Sequence, residues 1–131
     1  MSLSARSPNW RLTVVLMSLA GAGAILLTTF AAKYVMLQLR VAFAEDQIAT
    51  FETAKHFVER EHQPSRVAAE LSYVMHYYPC GTKQLTGTHL DRIVETARSN
   101  SVATILTRLR TLTRQDLGED PERWLAAYGS K

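Results

Sequence analysis

Apolar side chains run unbroken near the start of the chain and then thin into a helical stripe. Between Arg11 and Lys33 lies LTVVLMSLAGAGAILLTTFAA, 21 residues without a charge. As a helix rising about 1.5 Å per residue, such a stretch crosses a hydrocarbon core of about 30 Å. Trp10 and Tyr34 flank it, where amphipathic rings favour the membrane–water interface. The pattern predicts one transmembrane helix over residues 12–32, behind an N-terminal tail of residues 1–11. A cleaved signal peptide is the competing reading, because Ala42, Phe43 and Ala44 have the A-x-A form favoured before a cleavage site. The apolar run exceeds the roughly 7–15 residues of a signal-peptide core, and Lys33 and Arg40 intervene before the alanines. An anchor is therefore expected.

Beyond Ala32 the period stays helical. Tyr34, Leu37, Val41, Ala44, Ile48, Phe51 and Val58 recur at steps of three and four, with Lys55 interrupting the stripe. No Gly or Pro appears before Pro64, so the transmembrane helix is expected to continue as a stalk over residues 33–62. Its stripe needs a cover, either a second copy in a short coiled coil or the chain's own later helices. Residues 63–131 then read as a small helical domain. Pro64 suits the first turn of a helix carrying Val67, Ala68, Leu71, Val74, Met75 and Tyr78 on one face. Thr88 with Asp91 resembles a capping box before Leu90, Ile93, Val94 and Ala97. Asn100 and Ser101 can cap a further helix bearing Val102, Ile105, Leu106, Leu109 and Leu112. Gly118, Asp120 and Pro121 mark a stop, a cap and the start of a last helix holding Trp124, Leu125 and Tyr128. Nothing alternates with period two, so the expected fold is all-α, with a stalk helix and about four short helices.

Charge narrows the partners. Of 15 Lys and Arg, Arg6 and Arg11 precede the apolar run, which leaves the remainder nearly balanced against 12 Asp and Glu. Phosphate neutralisation needs a basic excess, so nucleic-acid binding is not expected. Arg108, Arg110 and Arg114 form a candidate basic patch, although Asp116, Glu119, Asp120 and Glu122 follow and can neutralise it internally. Cationic groups are almost even on the two sides of the span. A short N-terminal tail that stays in the cytoplasm favours a C-terminal domain outside it. Within the span, Ser18, Gly21, Ala22, Ile25, Thr29 and Ala32 share a face of mostly small side chains that could admit a second helix.

Candidate chemistry is sparse. Glu59 and His62 have the E-x-x-H spacing of ferritin-like metal ligands, with His56 a turn back, but a di-metal site needs a second copy of the motif. Cys80, the only cysteine, excludes an intramolecular disulfide, and its neighbours in sequence, His76 and His89, are not thereby in contact with it. Gly81, Thr82, Lys83 and Gln84 lack the order of a phosphate loop. With Pro79 and Cys80 they form a loop between helices, a candidate interaction loop. No catalytic residue, metal ligand, cofactor or small-molecule substrate is assigned.

Residues 77–98, YYPCGTKQLTGTHLDRIVETAR, and residues 112–128, LTRQDLGEDPERWLAAY, resemble the C-terminal part of uncharacterised bacterial membrane-anchored proteins. The second stretch is also similar to the closing segment of HEAT-like helical repeat proteins. The resemblance implies a bacterial origin and a helical interaction domain, and it transfers no site. The expected protein is a non-enzymatic, single-pass protein of the cell membrane, in contact with the lipid bilayer, that binds a protein partner or itself. Its alternatives are an accessory subunit contacting partners through the span, and a membrane-tethered metal protein or enzyme.

Overall fold

The apolar run and the stripe beyond it form a single helix, α1, Trp10–Arg60. A computed structural model describes residues 9–76 and 84–129. No proline or glycine interrupts α1 after Gly23, so every later backbone N–H can reach its carbonyl a turn back. Three shorter helices follow: α2, Pro64–His76; α3, His89–Thr113; and α4, Pro121–Tyr128. The chain divides into two compact units, Met1–Leu39 and Arg40–Lys131, and α1 contributes to both. In the first unit, α1 is exposed at every described position from Trp10 to Leu39.

In the second unit, the later part of α1 supplies Ala44, Phe51, Ala54 and Val58 to a core completed by Val67, Leu71 and Val74 of α2, Val94, Ile105, Leu106 and Leu109 of α3, and Trp124 of α4. The stripe of α1 is thus covered by the chain's own helices from Ala44 onward. A fully buried phenylalanine such as Phe51 contributes about 1.5–3 kcal/mol relative to an exposed one. Tyr34 and Leu37, expected on the same stripe, are exposed. Lys55 is half-buried and pairs with Glu52 at 2.9 Å, while its neighbour Ala54 takes the core position.

Long-range hydrogen bonds set the direction of α3. The Gln84 amide, just before α3, donates to the Arg40 carbonyl at 3.3 Å; Ser101 Oγ donates to the Phe51 carbonyl at 3.2 Å; Arg108 donates to the Glu61 carbonyl at 2.7 Å. These contacts advance together along both helices, so α3 runs parallel to the end of α1. The two helices expected on either side of Asn100 and Ser101 are one helix. Ser101 is fully buried on the same face as Val94 and Ile105, and its hydroxyl reaches across to α1 instead of capping a new start.

The remaining helix ends follow their side chains. After α1, the Glu61 carboxylate accepts from the N–H groups of His62 and Gln63 at 2.8 and 3.0 Å, which satisfies donors in the reversal before Pro64. Thr88 accepts from the Asp91 N–H, and Asp91 returns the bond to the N–H of Gly87 instead of Thr88. Gly87 takes a positive φ of 82° there, a conformation that costs glycine little. Asp120 caps α4 through the Glu122 N–H with Pro121 in the first turn. Trp124 is buried, donates its indole N–H to the Gly118 carbonyl at 2.9 Å and stacks on Tyr128.

Candidate functional site

The largest chemical feature is the apolar half of α1. Among the described residues it is the one helix long and apolar enough to cross a membrane, by length and composition. Two of its threonines satisfy themselves: Thr28 donates to the carbonyls of Ala24 and Ile25, and Thr29 to those of Ile25 and Leu26. Such back-bonding leaves these hydroxyls with no need for water, which is what hydrocarbon requires of them. Ser18, Gly21, Ala22, Ile25, Thr29 and Ala32 all lie on this exposed part of α1, and a side chain added at Gly21 would meet no other atom.

The candidate interaction loop is only partly in view. Pro79, Cys80, Gly81, Thr82 and Lys83 lie outside the described residues, as do Tyr77 and Tyr78. Gln84 is described, and it is buried. Its Nε2 bonds the Arg40 carbonyl and lies 3.4 Å from Gln47 Oε1. Gln47 is itself buried in α1, and its own Nε2 has no hydrogen-bond partner among the described residues. This polar node holds the start of α3 to α1. Only the period of α1 could have pointed to it, since Gln47 lies seven residues before the buried Ala54 and seven after Arg40.

The three arginines of the candidate basic patch have separate roles. Arg108 is half-buried and donates from both Nε and a terminal nitrogen to the Glu61 carbonyl, where a cation also suits the C-terminal end of α1. Arg110 donates to Asp116 at 3.0 Å, to Glu119 at 2.6 Å and to the Gly118 carbonyl. Bonds from Gly118 N–H and then from Arg110 hold the Asp116 carboxyl below its ordinary range. Arg114 closes α3 in the left-handed conformation, with φ of 55° and its N–H on the Arg110 carbonyl. The guanidinium groups of Arg108 and Arg110 are thus committed within the fold.

The candidate metal and nucleophile residues do not converge where they are described. His56 lies 3.4 Å from Glu59 on an exposed helix surface. Among the described residues, no group of three or more His, Cys, Asp or Glu is placed to hold a metal ion. His76 engages Ser72 and His89 engages Arg92, each within its own helix. Glu70 of α2 is half-buried, and burial pushes its carboxyl above the ordinary range. No protein-family model, curated protein or solved structure matches the chain.

Proposed function

We propose that the protein is a non-enzymatic, single-pass protein of the cell membrane that uses the apolar part of α1 as its anchor and presents the helical bundle to a protein partner. The observation that carries this reading is the exposure of an uncharged apolar helix on all of its sides. In water that surface would exceed the few hundred Å² of contiguous apolar area that soluble monomers expose. Retention of the helix is supported by Ala44, which is 3% exposed within the core, because cleavage after it would cut α1 inside the folded unit. For the bundle we propose the non-cytoplasmic side. As the only thiol, Cys80 reports on this: it should react with a membrane-impermeant maleimide in intact cells, and labelling only after lysis reverses the orientation.

A second reading has a specific observation behind it. The small-residue face around Gly21 is exposed and open, so the span could be the contact of an accessory subunit. Affinity capture from mild detergent separates the two. The native chain is compared with one in which residues 12–32 are replaced by polyleucine, which keeps an anchor and erases that face. Capture of the same partner by both chains supports the bundle as the contact, and loss with polyleucine supports the span.

A further inference from the structure

Past the uncharged run, α1 keeps an apolar surface that no helix among the described residues covers. Tyr34, Val35, Met36, Leu37 and Leu39 are all between 49% and 63% exposed. Four of these are consecutive, and successive side chains of an α-helix stand about 100° apart, so together they encircle the helix. A second helix, whether from another copy or another protein, covers one stripe and would leave most of this collar in water. A fluid apolar solvent covers all of it. Only Lys33 and Gln38 among residues 33–39 are polar enough to need another environment, and both have long stems that let the polar tip reach outward.

We infer that the collar is lipid-facing, and that the bilayer contacts α1 from residue 12 through Leu39, seven residues beyond the uncharged run, an extension that rests on the anchor reading above. As a helix, residues 12–39 extend roughly 42 Å, against a bilayer of about 40–45 Å including its headgroup regions. Lys33 then lies at the margin where hydrocarbon gives way to headgroups, and its stem carries the ammonium group outward to the phosphates. Tyr34 sits at the same margin, where its ring is apolar and its hydroxyl is wet. The lipid-facing segment ends at the last residue of the first unit, and the chain enters the second unit at Arg40.

A cysteine scan tests this in the full chain. In a Cys80→Ser background, single cysteines replace Tyr34, Val35, Met36, Leu37 and Leu39, with Ala49→Cys on an exposed face of α1 as the aqueous reference. The protein is placed in phosphatidylcholine vesicles opened so that a membrane-impermeant maleimide reaches both faces. All five positions should label more slowly than Ala49→Cys, by at least roughly ten-fold at Tyr34, Val35 and Met36 and by less toward Leu39 at the headgroup edge, since an apolar setting withholds the reactive thiolate. Protection confined to every third or fourth position means that a helix covers one side and overturns the inference. Labelling at the reference rate means water and overturns it as well. Release of the chain from the vesicles by alkaline wash overturns the anchor reading itself, whereas a chain that stays but labels on one side defeats only the extension.

Discussion

Gln47 shows how one side chain can work against its surroundings. Its Nε2 is buried without a partner among the described residues, and an unsatisfied buried donor costs about 1–3 kcal/mol. Gln47→Leu removes that donor at similar volume, and Gln84 keeps its bond to the Arg40 carbonyl. The substitution should raise stability by about 1 kcal/mol, seen as a higher midpoint in thermal denaturation of the full chain in mild detergent. A lower midpoint would show that the bond between the two amides matters more. Arg108 works in the opposite sense. Arg108→Ala leaves the Glu61 carbonyl without its charged donor and should cost about 1.5–3 kcal/mol in the same measurement, whereas the exposed Arg114→Lys should change it little. A basic cluster in a sequence does not disclose which of its members is a surface charge. Arg108 and Arg114 differ in role only because α3 runs parallel to α1, which brings one of them to a helix end.

Elements were legible where period and punctuation agree. Pro64, Thr88 with Asp91, and Asp120 with Pro121 mark helix starts because each supplies a local bond or a fixed φ, whatever the rest of the chain does. Asn100 and Ser101 misled for a physical reason. The same hydroxyl that can cap a helix can sit in a core if a carbonyl lies within reach, and the Phe51 carbonyl of another helix is invisible to local pattern. The cover of the α1 stripe was likewise a tertiary matter. Either a second copy or the later helices suited it, and Ala44, Phe51 and Val58 are in fact buried by α2, α3 and α4. Helix ends also carry a pH response. Backbone N–H bonds lower the Glu61 carboxyl in the folded state, as they do Asp116, where Arg110 adds to the effect. Both contributions are complete above the unfolded values of 4.5 and 3.8 and are lost as pH falls through the lower folded ones. Glu70 has the opposite sign: its raised folded pKa means that stability is lost as pH rises from 4.5 through that value. Thermal midpoints measured across the acid range should therefore fall below pH 4.5 less steeply in Glu61→Gln, and Glu70→Gln should gain stability at neutral pH.

At the scale of the whole molecule, the two units place their apolar side chains differently. In the second unit, twelve described apolar side chains, Phe51 and Trp124 among them, gather into a buried core. Residues 10–39 turn theirs outward on every side, and Thr28 and Thr29 bond back to carbonyls of their own helix, as hydroxyls in hydrocarbon must. One continuous α1 contributes to both, and its exposed apolar surface is the feature for which the proposed anchor accounts. The most direct test is alkaline carbonate extraction of membranes containing the full chain, compared with the chain that begins at Arg40. Anchoring by α1 predicts that the full chain stays in the membrane pellet and the shorter one passes into the supernatant. Release of the full chain into the supernatant would contradict it.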